Sequence, residues 1–236
     1  MSHYIFTDVH GCIEELRELY TLASPGINDT IVIAGDLLDR GPDSAAVVRF
    51  FRELSLQQPV VLVSGNHESK HKRYRKNRLV SPGVAQQMLK HNDELERITA
   101  DLSPEDIEWL DAACLYYRIP GQSAVVLHGG VTPKMRSLGR SEADKWHKHE
   151  AHIMYVRKLE TGEFWADVYD GRFGHIFFGH EPFIPNTSPV QFQHATGLDL
   201  GCVFGGSLAC AVVADDGSCR YLTVKARAMY AQPKGE

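Results

Sequence analysis

No apolar run in the 236 residues is long enough to cross a bilayer. The start, Met1-Ser2-His3-Tyr4-Ile5, lacks the basic head and apolar stretch of a secretory signal and runs directly into a strand pattern. Cysteine is sparse: Cys12, Cys114, Cys202, Cys210 and Cys219 form no CxxC pair, and their odd number does not suggest a disulfide framework. These absences point to the reducing cytoplasm and exclude a membrane partner. Internal repeats, low-complexity segments and a clear linker are also missing, so residues 1–236 are expected to form a single α/β domain. With a net charge of −5, wholesale adsorption to DNA or acidic membranes is excluded, and no stable nucleic-acid partner is expected.

What is present is a series of short apolar runs, each ending in polar residues. Tyr4-Ile5-Phe6-Thr7 leads to Asp8-Val9-His10-Gly11, and Thr30-Ile31-Val32-Ile33-Ala34 leads to Gly35-Asp36-Leu37-Leu38-Asp39-Arg40-Gly41. Pro59-Val60-Val61-Leu62-Val63 leads to Ser64-Gly65-Asn66-His67-Glu68. Helical spacing of Ile13, Leu16, Leu19, Tyr20 and Ala23, and then of Val47, Val48, Phe50 and Phe51, separates these runs. Alternation of strand and helix predicts parallel pairing with right-handed crossovers. Residues 69–120 read as mostly helical, with Ser103-Pro104 opening one helix. Ala124-Val125-Val126-Leu127 is a strand before His128-Gly129-Gly130, a polar helical region runs through Trp146 to Leu159, and Ile176-Phe177-Phe178 is a strand before Gly179-His180. Beyond it, strands over 196–200, 207–214 and 220–224, the last two joined at Asp216-Gly217, predict an antiparallel second half.

Ligands of open α/β sheets bind outside the carboxyl ends of the strands. The polar tails there supply Asp8, His10, Asp36, Asn66, His128 and His180. Hard oxygens mixed with imidazoles suit manganese, iron or zinc. Six donors exceed one tetrahedral ion but suit two ions sharing a carboxylate, and Asp36 is placed to give one oxygen to each. Such a pair clamps the attacking and leaving oxygens of an in-line displacement. Each tail has a duller explanation: a capping turn with an ion pair around Asp36, a turn residue at His128. Their shared position, after an apolar strand and before a turn, favours the metal site.

Together these segments resemble the ordered motif set of the calcineurin-like metallophosphoesterases, most of all the phosphoprotein-phosphatase branch and its bacterial relatives. Residues 199–206, Asp-Leu-Gly-Cys-Val-Phe-Gly-Gly, resemble the Asp-Thr-Gly-Cys tail of the bacterial members. The resemblance implies a metallophosphoesterase-type β-sandwich flanked by helices, a four-layer αββα fold. It implies Asp8, His10 and Asp36 on a first metal, with Asp36 bridging to a second completed by Asn66, His128 and His180. It implies His67 as general acid oriented by Asp39, and Arg40 on the phosphate. Arg157 is the candidate for a second phosphate-binding arginine. The implied mechanism is attack by a metal-bridging hydroxide on phosphorus, with two divalent cations as cofactors, manganese foremost. Three positions depart from the pattern. Thr7 stands where Gly is common and is expected to leave the ligands untouched. Glu181 stands where Thr is common, on the rim, and Leu200 replaces a Thr.

Other features carry dull and functional readings side by side. The basic run from Lys70 to Arg78 is by default a solvated helix face, and alternatively a lip for polyanions. Trp146, Phe164, Trp165 and Tyr169 read as core before they read as base-stacking residues. His147, His149 and His152 read as surface histidines, and Cys12 and Cys202 as small buried residues. A serine/threonine protein phosphatase is the leading function, because Gly65-Asn66-His67-Glu68 ends in Glu where the dinucleotide type often has Asp. A symmetrical bis(5'-nucleosyl)-tetraphosphatase and a nucleic-acid-end phosphatase are the alternatives, so the substrate is a phosphoprotein, a dinucleoside polyphosphate or a nucleic-acid end. A binding scaffold without activity is the remaining reading, set against the intact ligand and acid positions.

Overall fold

Period-two alternation along the strands decides what each sheet face touches. In β1 (His3–Phe6), Tyr4 and Phe6 point to one side and Ile5 to the other. Helices α1 (Ile13–Ala23) and α2 (Ser44–Leu54) cover the first side with Leu16, Leu19, Val47, Val48 and Phe51. Both helices begin and end for local reasons. Asp43 caps α2 by accepting from the Ala46 N–H at 2.8 Å, and Ser24 in the left-handed region closes α1. The computed structural model describes residues 1–135, 137, 138 and 151–233.

β1 pairs in parallel with β2 (Thr30–Ile33), and β2 with β3 (Val60–Leu62), as strand–helix alternation predicts. Helices α3 (Asn66–Val80), α4 (Pro82–Leu89), α5 (Glu94–Asp101) and α6 (Pro104–Asp111) follow, α6 opening on a Ser103–Asp106 capping box. The second sheet contains β4 (Tyr116–Arg118), β5 (Ala124–Leu127), β6 (His175–Phe178), β7 (Val190–Gln191) and β8 (Ala195–Gly197) in the order β4-β5-β6-β8-β7. The hairpin of β9 (Ser207–Val213) and β10 (Cys219–Lys225) returns to the first sheet, giving β10-β9-β1-β2-β3. Between the sheets Ile5, Val32 and Val63 meet Val126, Phe177 and Leu198 in one apolar layer.

Several expectations change here. The second half is not antiparallel throughout, because β5, β6 and β8 pair in parallel. Strand β4 lies inside the stretch read as helical, and β7 was not foreseen. The helical region over 146–159 reduces, in its described part, to a 3-10 turn at Ala151–Met154. Trp146, His147 and His149 lie outside the described residues. Phe164, Trp165 and Tyr169 pack with Phe178 and Phe183 outside the second sheet, as core and not as an open stacking surface.

Because Ile5 is fully buried between the sheets, Ile5→Ala is expected to cost about 2–5 kcal/mol of stability. A urea titration that shifts the midpoint without changing the slope is the check.

Candidate metal centre

The ends of β1 and β2 continue to pair after they stop being strands. Asp8 N–H donates to Gly35 O at 3.0 Å, His10 N–H to Asp36 O at 3.0 Å and Gly11 N–H to Leu37 O at 2.9 Å. To do this the chain enters a sparsely populated backbone region. Asp8, His10, Asp36, Asp39, Arg40 and His180 all have φ between 44° and 71°. Among the described residues only one other non-glycine, Ser24, does so. Each such residue costs on the order of 1–3 kcal/mol, and clustering of the strain marks a site built for function.

Asp36 is the centre. Its Oδ2 lies 3.6 Å from His10 Nε2 and 3.3 Å from His128 Nε2, while Oδ1 accepts from the His67 N–H at 3.0 Å. Two edge-on imidazole pairs flank it, His10 with His67 at 4.8 Å between ring centres and His128 with His180 at 5.0 Å. Two groups of close donor atoms, His10-Asp36-His67 and Asp36-His128-His180, share this aspartate. Asp8 Oδ1 stands 3.9 Å from His10 Nε2. Its other oxygen accepts from the His180 N–H at 3.0 Å and from the Thr7 hydroxyl. Thr7 therefore does touch a candidate ligand, contrary to the expectation above.

Carbonyl groups fix the orientation of two imidazoles. His10 Nδ1 meets Leu38 O and His128 Nδ1 meets Ala34 O, each at 2.7 Å. A carbonyl only accepts, so each Nδ1 carries hydrogen and each Nε2 presents its lone pair to the cluster. At His128 that lone pair faces Asn66 Oδ1 at 3.0 Å as well as Asp36 Oδ2. Three acceptors converge there, which only a proton or a cation reconciles. The donor set of imidazole, carboxylate and amide oxygen fits divalent manganese, iron or zinc. Burial opposes charge on His128, but the carboxylates of Asp36 and Asp8 outweigh it and push its pKa up to about 10. On the other side of Asp36, burial and then His128 hold His180 down to about 2. Burial and then His67 likewise lower His10, to about 3.

His67 is held by Asp39, whose Oδ2 meets its Nδ1. Asp39 also receives Lys70 Nζ at 2.7 Å, His71 Nε2 at 2.7 Å and Asn92 Nδ2 at 3.1 Å. Burial works against its charge, yet hydrogen bonds from His67 and His71 hold its carboxyl far below the usual range. Arg40 donates to His10 Nε2 at 3.0 Å, and Arg157 donates to His180 O at 2.9 Å while facing Glu181 at 3.5 Å. All the residues expected at the site thus gather at one edge of the sandwich, with Arg157 on its rim.

Some residues that organise the site went unforeseen. Glu68, buried on α3, accepts from Asp36 N–H at 2.8 Å, Gly65 N–H at 2.9 Å and Leu37 N–H at 2.9 Å. The capping-box position of Glu68 was a visible signal for one of these bonds. The buried face of α3 is His67, Glu68, His71 and Tyr74, a helical stripe that is polar and so invisible to hydrophobic periodicity. The basic run on the same helix serves largely structural ends: Lys70 holds Asp39, Lys72 and Arg75 bind Asp111, and Arg78 lies over Tyr74.

The model of the calcineurin-like phosphoesterase family matches residues 1–209. An asymmetrical bis(5'-nucleosyl)-tetraphosphatase of Oceanobacillus iheyensis is 30% identical over 234 residues, covering 86% of this chain and 85% of its own. A symmetrical bis(5'-nucleosyl)-tetraphosphatase of Proteus mirabilis is 35% identical over 136 residues, covering 57% of this chain and 46% of its own. Among solved structures, one provisionally assigned as a diadenosine tetraphosphatase superposes with a TM-score of 0.72 at 25% identity, over 95% of this chain and 93% of that one.

Two outcomes follow from this geometry. Glu68→Gln turns an NH₂ toward backbone N–H groups and should weaken manganese binding about 10–100-fold with the fold intact. Calorimetric titration of both proteins measures it, and equal affinities would show that Glu68 does not set Asp36. Since His128 holds its proton at pH 7 and ligation needs the lone pair, cation binding should expel about one proton and strengthen as pH rises. Titrations in buffers of different ionisation enthalpy count that proton.

Proposed function

Because the chain belongs to the calcineurin-like phosphoesterase family and is thus a phosphoric-ester hydrolase, we propose that its substrate is a dinucleoside tetraphosphate, split unequally. Support comes first from relatives that align along most of both chains, which are of the asymmetrical type. The protein-phosphatase reading rested on Glu68 and loses that support. Glu68 is 4% exposed with its carboxylate engaged by backbone N–H groups, so it organises the loop and does not read substrate.

The observation that carries the chemistry is His67 standing beside Asp36 with its Nδ1 held by Asp39. In this reading Asp8, His10 and Asp36 hold one cation, and Asp36, Asn66, His128 and His180 the other, manganese being the first choice. When bound, such a pair lowers the pKa of a water and draws charge from a phosphoryl group. Arg40 and Arg157 bind the phosphoryl oxygens as planar guanidinium forks. The Asp39 carboxylate fixes the His67 ring through Nδ1, leaving Nε2 to pass a proton to the departing phosphate oxygen as its bond to phosphorus breaks.

Manganese-loaded protein given diadenosine tetraphosphate should release ATP and AMP, separable by anion-exchange chromatography. His67→Asn should lower kcat about 10²–10⁴-fold with cation content unchanged. Faster turnover of a phosphopeptide than of the dinucleotide would overturn the substrate assignment.

A further inference from the structure

Beside the candidate metal centre a pocket of about 460 Å³ is lined by Arg40, Glu94, Arg157, His180, Pro182 and Phe204, together with Ala231, Gln232 and Pro233. Its volume falls within the range of small-molecule sites, roughly 300–1,000 Å³. One wall comes from residues 226–233, beyond the part of the chain that the family model matches.

That wall is anchored, not draped. Glu15, a fully buried carboxylate on α1, accepts from the Arg227 N–H at 2.9 Å and the Tyr230 hydroxyl at 2.7 Å. Burying a carboxylate is costly unless it is hydrogen-bonded, and here its hydrogen bonds are spent on this segment. The segment is also knitted to the loop that carries Phe204. Tyr230 and Ala231 N–H groups both donate to Val203 O, Ala226 N–H donates to Gly206 O, and Met229 bridges to Phe204. Phe204 in turn carries the Arg40 guanidinium 5.3 Å over its ring.

The pocket therefore brings two guanidinium groups and the Glu94 carboxylate together with the apolar side chains of Pro182, Phe204 and Pro233 and the amide of Gln232. We propose that it binds the nucleoside polyphosphate portion of the substrate beyond the scissile phosphate, and that residues 231–233 are the specificity-determining wall. Arg40 and Arg157 meet the phosphate chain, and the apolar wall shelters the nucleoside. This inference rests on the dinucleotide reading for its ligand class, but it is tested without dinucleotide turnover.

The test is inhibition of p-nitrophenyl phosphate hydrolysis by ADP and by inorganic phosphate. In the unaltered protein ADP should inhibit at a concentration at least about tenfold below phosphate. That ratio should fall toward one in a chain ending at Tyr230, which keeps the Glu15 anchor. It should also fall in full-length Gln232→Glu, which turns a carboxylate toward the phosphates and leaves the backbone alone. A ratio near one in the unaltered protein overturns the proposal. So does an unchanged ratio in both variants, or an equal weakening of both inhibitors, which would mean that the segment only supports the fold. Loss of the dinucleotide reading looks different: no diadenosine tetraphosphate hydrolysis, with the ADP preference and its dependence on residues 231–233 intact.

Discussion

Three backbone N–H groups converging on one buried carboxylate, Glu68, hold the centre of this protein in place. They belong to Asp36, Leu37 and Gly65, so a single side chain ties the loop after β2 to the loop that starts α3. The loop after β2 carries the shared aspartate, and the start of α3 carries Asn66 and His67. Their spacing is too tight for a side chain at Gly65, where a Cβ would collide with Asp36 Oδ1, or at Gly35, where it would meet the Gly65 backbone. Glycine at these positions is what allows strand ends from separate parts of the sheet to close on the same cation-sized space.

Charge in that space is arranged by contrast. His128 and His180 are neighbours, yet one is pushed up to about 10 and the other down to about 2. Burial works against charge on both, and proximity to Asp36 rescues only His128, which lies against its Oδ2. Once His128 is positive it adds to the penalty on His180. A divalent cation in the same place would satisfy the acceptors that the proton satisfies and release it, which couples ligation to acidity. Asp39 is governed by the same rule on the other side: surrounded by His67, His71 and Lys70, it stays ionised and keeps its neighbour oriented.

How much of this was legible depended on where each signal lay along the chain. The candidate ligands announced themselves because β-branched apolar runs end abruptly in Asp, His or Asn, and the sheet then carries those ends to one edge. The parallel trio β5, β6 and β8 was not legible, since the alternating strands and the Asp216-Gly217 turn near the C-terminus suggested hairpins for the whole second half. β4 was hidden in Tyr116-Tyr117-Arg118, too short to alternate convincingly. His71, Asn92 and Lys70 escaped because their partner, Asp39, is more than 30 residues away in each case. Glu68 was visible but misread: its position suggested a substrate type, while its geometry makes it a clamp on backbone.

A candidate centre buried this deeply cannot select among large substrates by itself. Asp8, His10, Asp36, His67 and His128 are each at most 5% exposed, so little more than a phosphoryl group can reach them. In the proposed reading, what separates a nucleotide from a phosphopeptide is felt at the rim, by Arg157, Glu181, Pro182, Phe204 and the segment pinned by Glu15. On the rim Glu181 pairs with Arg157 at 3.5 Å. Interior and margin are therefore separable in physical terms. The interior is over-determined by backbone hydrogen bonds and strained dihedrals and tolerates little change. The margin is held by the Glu15 side chain on α1 and by backbone hydrogen bonds to the 199–206 loop, so in the proposed reading it is where a change could alter what is bound without moving the groups beneath it.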